Sequence, residues 1–358
     1  MDVALYDPGC GYYARAAQRS GRAGDFFTSV DVGPVFGDLV EIQIAGMAGI
    51  LDAQSPEPGA QRPFDLVEAG AGNGRLSADI LRAARRRDPL LYDRIRLHLV
   101  EASDSARAEQ RATLGDKADR LVSSSDSLPS AFEGVVLANE LLDALPIHQV
   151  VMREGGLREV YVDMAGGRLV TREGPVSSPA LSGYLDALGV ALEPGWRAEI
   201  NLRALAWIRE VARRLRRGFV ILIDYGHDAR ELYSPMHATG TLTTFARHTM
   251  AGPESSADTP PWLVNPGEQD ITAHVDFTSV RAAAEAEGLT TVGFLDQTYF
   301  LLGLFDQDSS NRLNLKERLA LKTLLMPGGL GSTHKVLILG KGVGAPLLQG
   351  CSYRMRVT

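Results

Sequence analysis

Short runs of apolar residues, each closed by a carboxylate or an amide and several followed by apolar positions at helical spacing, set the predicted fold of this chain. Residues 64–69 form the first run, with Glu68 near its end. A glycine cluster follows, and then Leu76, Ile80 and Leu81 at helical spacing. That order predicts strand, loop and helix. Residues 96–100 repeat the pattern as a strand ending at Glu101, with a helix over 106–114 behind it. Two such units in tandem predict a parallel sheet with right-handed crossovers. Residues 134–138 and 219–223 add two further strands, the one closed by Asn139 and Glu140, the other by Asp224, Tyr225 and Gly226. In an open α/β sheet ligands bind outside the carboxyl ends of the strands, so Glu68, Glu101, Asn139, Glu140 and Asp224 are expected to face one crevice.

The stretch between the last two strands, residues 147–217, reads as an insertion: alternation over 158–163 predicts a strand, and an amphipathic segment over 198–217 predicts a long helix. Residues 251–267, rich in Pro, Ser and Gly, read as a loop. Beyond it, helices near 275–287 and 314–325 alternate with strands at 290–295 and 335–339, which would complete the sheet edge. The expected organisation is an N-terminal helical or lid segment (1–60), a core from 61–146 and 218–345, an inserted substrate-side lobe (147–217) and a C-terminal tail (346–358).

Composition narrows the function. The 358 residues are 45% hydrophobic and 23% charged, ordinary values for a globular protein, and the length allows one large α/β domain with an elaboration. A net charge of −7 argues against general nucleic-acid binding, which needs a basic face. The runs Arg85, Arg86, Arg87 and Arg213, Arg214, Arg216, Arg217 fall at predicted helix ends, where positive charge complements the helix dipole. Two cysteines, Cys10 and Cys351, build neither a disulfide framework nor a zinc site. Residues 42–51, the longest nearly apolar stretch, are too short to span a bilayer. The first residues lack the apolar core of a signal peptide and the Arg/Ser-rich character of a transit peptide. The expected location is the bacterial cytoplasm, as the preference for Arg over Lys suggests, or the mitochondrial matrix if an upstream transit segment is missing.

The string Glu68-Ala69-Gly70-Ala71-Gly72-Asn73-Gly74 puts three glycines at two-residue spacing, which permits positive φ and close approach of backbone to a ligand. A dinucleotide fingerprint wants a small residue where Arg75 stands, and a P-loop wants a Gly-Lys-Ser/Thr ending that is absent. S-adenosylmethionine carries an ammonium, a carboxylate and a sulfonium but no phosphate, and suits bare glycine backbone beside carboxylates. Glu68 supplies one such carboxylate, and Glu101 is placed to accept hydrogen bonds from both ribose hydroxyls, a device that dinucleotide sites share. Asp126, in a serine-rich turn, is a candidate acceptor for the adenine amino group, with a turn or cap role as the plainer reading. A tight turn without ligand is the plainer reading of the glycine string itself.

Taken together, several motifs in order are similar to those of the MidA-like family of class I S-adenosylmethionine-dependent methyltransferases, which includes the mitochondrial complex I assembly methyltransferase. Gly11-Tyr12-Tyr13, Gly24-Asp25-Phe26-Phe27-Thr28-Ser29 and Val35-Phe36-Gly37 resemble its N-terminal signature. Residues 68–76 resemble its cofactor loop, and 138–146, Ala-Asn-Glu-Leu-Leu-Asp-Ala-Leu-Pro, its most specific element. Asp224-Tyr225-Gly226, Gly240-Thr241-Leu242, residues 270–277 and Gln297 continue the likeness, which covers about residues 5–340. Here Val30-Asp31 replaces the more usual Pro-Glu, and Leu141-Leu142 replaces two aromatics.

The resemblance implies an α/β, Rossmann-like class I methyltransferase fold: a mostly parallel central sheet with helices on both faces, plus the inserted lobe. It also implies S-adenosylmethionine as cofactor and an arginine of a protein as methyl acceptor, in the mitochondrial members a complex I subunit. The expected cofactor-binding set is Glu68, Gly70, Gly72, Asn73, Gly74, Glu101, Asp126, Asp25 and Phe26, with Asp25 helping to close the pocket. A guanidinium needs carboxylates to orient it and to take its proton. Glu140 is the expected holder, with Asn139 and Asp143 beside it, in an SN2 transfer; a turn carboxylate capping backbone amides is the alternative reading of Asp143. Tyr12, Tyr13, Phe26 and Phe27 are lid candidates, with buried packing the plainer reading. His148 and His274 read as satisfied structural residues; neither has metal-ligand spacing to another histidine, so no metal site is expected. A homodimer is an expected assembly. The rival functions are a scaffold that binds S-adenosylmethionine without transferring methyl groups and, less favoured, an NAD-dependent oxidoreductase.

Overall fold

A computed structural model describes residues 1–14, 28–55, 62–246, 249–253, 259–305, 314–326, 331 and 333–353. Four strands open the main sheet: β1 (Phe64–Ala69), β2 (Ile95–Val100), β3 (Leu121–Ser125) and β4 (Phe132–Asn139). A separate antiparallel sheet comprises β5 (His148–Arg153), β6 (Gly156–Ala165), β7 (Arg168–Gly174) and β8 (Arg197–Ile200), in the order β7-β6-β5-β8. The chain returns to the main sheet with β9 (Leu215–His227). It then makes a small sheet from β10 (Thr243–Ala246), β11 (Thr249–Ala251) and β12 (Asp270–Thr272), sets the short β13 (Val275–Asp276) against β9, and closes with β14 (Thr290–Asp296) and β15 (His334–Lys341). The main sheet runs β14-β15-β9-β4-β1-β2-β3. Strands β3, β2, β1, β4 and β9 are mutually parallel, and β15 is antiparallel to both of its neighbours. This is the mostly parallel sheet that the tandem strand and helix units predict.

Strand periodicity sorts the core. Leu66, Val135, Ile221 and Val336 join one buried cluster, while their sequence neighbours Val67, Val136, Leu222 and Leu337 join the other. Successive side chains of a strand point to opposite faces, so a sheet apolar at every position must be covered on both sides. Helices Val35–Ala53, Arg75–Arg87, Gln297–Leu304 and Leu315–Leu325 cover the first face; Leu202–Arg214 and Phe277–Ala286 cover the second. Phe36, Ile44 and Met47 are at most 1% exposed, and each contributes about 1.5–3 kcal/mol by leaving water. No described helix is long and apolar enough to cross a membrane.

Several boundaries differ from the sequence expectation. The helix expected over 198–217 is Leu202–Arg214, because residues 197–200 pair with β5 and the Asn201 side chain then accepts from the Ala204 N–H at 2.8 Å, starting the helix with a cap. That helix packs on the main sheet, whereas 148–200 forms the separate sheet. Helix Gln297–Leu304 was not expected at all. The arginine runs are mostly neutralised locally: Arg85 pairs with Asp116, Arg86 with Asp38, Arg87 with Glu41, Arg213 with Glu287, Arg214 with Glu210 and Arg217 with Glu133. Cys10 is exposed and Cys351 half-buried.

Candidate functional site

At the carboxyl ends of β1, β2 and β4 the structure opens a cavity of about 350 Å³, within the range of about 300–1,000 Å³ usual for small-molecule sites. Its wall includes Glu68, Gly70, Gly72, Asn73, Glu101, Asp126, Asn139 and Glu140, so most of the sequence candidates do converge on one crevice. Gly74 stands just behind, as the left-handed N-cap (φ 85°) of helix Arg75–Arg87. Asp143 does not line the cavity, and Asp25 and Phe26 lie outside the described residues.

The glycine loop is clamped from two sides. The Gly70 and Ala71 N–H groups donate to the Val100 carbonyl at 2.9 and 3.1 Å, which fastens the loop to the end of β2. Gly72 has φ 51°, in the left-handed region, and a Cβ there would point into open space rather than into protein. Its N–H donates to Glu101 Oε2 at 2.8 Å, while its carbonyl accepts from Nε2 of the buried Gln110 at 2.8 Å. The other Glu101 oxygen accepts from the Ser103 N–H at 2.8 Å. A carboxylate offers about four lone-pair positions, so two backbone donors leave Glu101 room for ligand hydroxyls. Asp126 follows β3 directly, lines the cavity and is exposed. It also accepts from Ser127 Oγ at 2.9 Å, so it serves the turn as well as the cavity wall.

Glu68 is 5% exposed, and its Oε2 accepts from both the N–H and the hydroxyl of Ser77. Burial pushes its carboxyl up from 4.5 to about 7, against the two Ser77 bonds and with a smaller push from Glu101. The native state therefore holds the extra proton between those values, and stability falls as pH rises from 4.5 to about 7. A Glu68→Gln variant should lose up to about 3 kcal/mol of that pH dependence, read as the difference between urea melts near about pH 5 and about pH 8. An unchanged difference in the variant would show that Glu68 is not the group being titrated.

Glu140 sits at the tip of β4 with φ 51°, a conformation that a non-glycine residue adopts only when its surroundings hold it there. Its N–H donates to the Ile223 carbonyl at 2.8 Å, and its Oε1 accepts from the Ser29 N–H and from Asn139 Nδ2, both at 3.2 Å. The buried His334 places Nε2 3.6 Å from the same oxygen. The Asn139 Oδ1 is shielded from solvent and accepts no hydrogen bond from any described residue. Behind this wall, Asp224 accepts from the Leu141 and Leu142 N–H groups at 3.1 and 2.7 Å and takes part in a hydrogen bond with Asp143. Burial first, and the neighbouring carboxylates next, drive Asp143 well above the carboxylate range; burial pushes Asp224 up to about 7. Two buried carboxyls in hydrogen-bond contact share a proton. The expectation of Asp143 as a group facing substrate thus gives way to a buried support beneath Glu140.

Sequence reasoning missed part of the wall. Tyr6, Arg75 and Trp207 line the cavity, and Tyr13, a lid candidate, lines it as well. The Tyr6 hydroxyl donates to the Ala144 carbonyl at 3.0 Å and that of Tyr13 to Asp270 Oδ1 at 2.8 Å, so the N-terminal segment roofs the site. Tyr12 instead packs with Leu5, Leu242 and Ile271. Asp31 explains the Thr28 to Asp31 turn: it accepts from the Thr28 N–H and hydroxyl, and pairs with Arg75 at 2.8 Å. The turn's next N–H, that of Ser29, is the one aimed at Glu140. Among the described lining residues, four carboxylates (Glu68, Glu101, Asp126, Glu140) thus face one guanidinium, Arg75, which Asp31 already engages. The cavity favours cations.

Residues 46–295 match the model of a family described as "Putative S-adenosyl-L-methionine-dependent methyltransferase". The chain is 29% identical over 329 residues to the mitochondrial protein arginine methyltransferase NDUFAF7 of Mus musculus, covering 84% of this chain and 68% of that one. It is 28% identical over 392 residues to the Drosophila melanogaster homolog, covering 96% and 80%. A crystal structure of a "likely methyl transferase" from Burkholderia thailandensis bound to S-adenosyl-homocysteine superposes with a TM-score of 0.86 at 29% identity, over 99% of this chain and 90% of that one.

Proposed function

This chain belongs to the family of putative S-adenosyl-L-methionine-dependent methyltransferases, and on that premise we propose that it methylates an arginine side chain of a protein, with Glu140 as the acceptor-holding carboxylate. The observation that carries the reading is the Glu140 carboxylate, held at a left-handed strand tip on the wall of a cavity rich in acid. The arginine acceptor is carried over from relatives named as protein arginine methyltransferases. A respiratory complex I subunit is the first candidate protein, on the sequence resemblance.

The residues present fit the cofactor. Gly72 leaves open space where a side chain would block backbone approach, and Glu101 keeps acceptor positions free for ribose hydroxyls. Gly70, Asn73 and Gly74 complete the loop, Glu68 braces it from beneath through Ser77, and Asp126 faces the adenine end. S-adenosylmethionine, when bound, supplies a methyl group made electrophilic by the sulfonium. The protein does the rest. Glu140 holds the cationic acceptor, fixes the attacking nitrogen and receives the proton that the guanidinium sheds. The Asn139 Oδ1, which lacks a donor, accepts a second guanidinium N–H. Asp224 holds the turn under Glu140 through the Leu141 and Leu142 amides, with Asp143 hydrogen-bonded to Asp224.

The test is incubation of purified protein with methyl-labelled S-adenosylmethionine and candidate acceptor proteins, followed by mass spectrometry. Label is expected in methylarginine. Cofactor binding with no label in any protein would favour the scaffold reading, and label on another residue type would overturn the arginine assignment.

A further inference from the structure

Three imidazoles meet away from the cavity, from segments far apart in sequence: His227 ends β9, His237 ends the one-turn 3₁₀ helix Pro235–His237, and His274 immediately precedes β13. The pairing of β13 with β9, in which Asp276 lies opposite His227, brings the first and last of them together. Their ring centroids are 4.9 Å (His227 to His237), 5.2 Å (His227 to His274) and 5.9 Å (His237 to His274) apart, and one nitrogen from each lies within 4.8 Å of the others. None of the three lines the cavity.

The polar contacts of the three rings differ. His237 Nδ1 lies 3.1 Å from the Glu231 carbonyl oxygen; a carbonyl only accepts, so that nitrogen carries the proton and Nε2 keeps its lone pair. His227 Nδ1 is buried and lies 3.1 Å from Glu231 Oε2, a close ion-pair contact that lacks hydrogen-bond geometry. The His274 Nδ1 is buried and has no hydrogen-bond partner among the described residues, so this ring is not the satisfied structural residue that its sequence context suggested. Burial and the two neighbouring rings hold His274 in its neutral form. A carboxylate or a carbonyl on the far nitrogen of each ligating imidazole is the habit of metal-binding histidines, and Glu231 supplies one of each.

We propose that His227, His237 and His274 bind one divalent first-row cation, Zn²⁺ first, with water completing a tetrahedral set and Glu231 orienting two of the rings. Zinc–nitrogen bonds of about 2.0–2.1 Å require the rings to draw closer than they stand here, a movement open to His237 on its short turn. The cation would clasp the 228–240 segment to the junction of β12 and β13. It would play no part in methyl transfer.

The test uses tag-free full-length protein, stripped with chelator and titrated with Zn²⁺ by calorimetry and with Co²⁺ by visible spectroscopy. One equivalent of each is expected, with the strong Co²⁺ absorption of tetrahedral ligation and a melting temperature raised by metal. His237→Ala, in a surface turn, should weaken Zn²⁺ binding by more than about 100-fold, and Glu231→Gln, which keeps all three ligands, by about 10- to 100-fold. Circular dichroism of the stripped variants checks folding. Uptake of less than one equivalent by the parent protein would overturn the proposal. So would full binding by His237→Ala, which would mark an adventitious site.

Discussion

Glu140→Gln is expected to lower methyl transfer by about 10²- to 10⁴-fold, the usual range for a positioned proton acceptor, and to leave S-adenosylmethionine affinity within about threefold. Glutamine keeps the length of the side chain, and its Oε1 can still accept from the Ser29 N–H and Asn139 Nδ2 at the sites those donors now occupy. What it loses is the negative charge that attracts a guanidinium and the capacity to take its proton. The left-handed backbone at position 140 is set by the Ile223 carbonyl and the flanking turn, so the variant should fold as the parent does. Single-turnover transfer measured beside calorimetric cofactor titration separates the two quantities. Transfer at the parent rate, with cofactor bound, would remove Glu140 from the reaction.

Gly72→Val should abolish measurable S-adenosylmethionine binding, a loss of more than about 100-fold. Two effects act together. A β-branched residue at φ 51° costs at least about 1–2 kcal/mol of backbone strain, and its branches would project into the space through which the ligand reaches the loop. The loop cannot turn aside to relieve this, because the Gly72 N–H and carbonyl are tied to Glu101 and Gln110. Any relaxation would also disturb the carboxylate meant for the ribose. Calorimetry with S-adenosylmethionine and, in parallel, NAD is the measurement. Unchanged cofactor binding by the variant would place the cofactor elsewhere, and tight NAD binding by the parent would revive the oxidoreductase reading.

Both predictions concern residues that could be read from sequence, and the reason is local. Glu68, Glu101, Asn139 and Glu140 stand at or near the ends of short apolar runs, and parallel strands deliver such ends to one edge whatever lies between them. What lay between was harder. Helix Val35–Ala53 buries 11 of its 19 residues, including Glu41 and Gln43, so it carries little of the one-sided periodicity that marks a surface helix. Asn201 was a legible cap placed inside an expected helix, and the alternation of β8 just before it was absorbed into that helix. Tyr6, Trp207 and His334 reach the site through long-range packing for which no local pattern stands. The three clustered histidines escape for the same reason: gaps of 10 (237 − 227) and 37 (274 − 237) residues match no ligand motif, and only the pairing of β13 with β9 brings two of them side by side.

The place of β15 has a bearing on how the enzyme comes into being. Synthesis runs from the N-terminal side, and the glycine loop, Glu101 and Glu140 all leave the ribosome before residues 334–341, which lie between β9 and β14 in the sheet. Until they do, β9 has an open edge, and Glu140 lacks the imidazole of His334 beside it. A nascent or prematurely terminated chain can thus carry every residue of the cofactor loop and still lack the strand that lies against β9 and sets His334 beside Glu140. The acidic wall around Glu140 is therefore completed from both ends of the chain, by Ser29 near its start and His334 near its close.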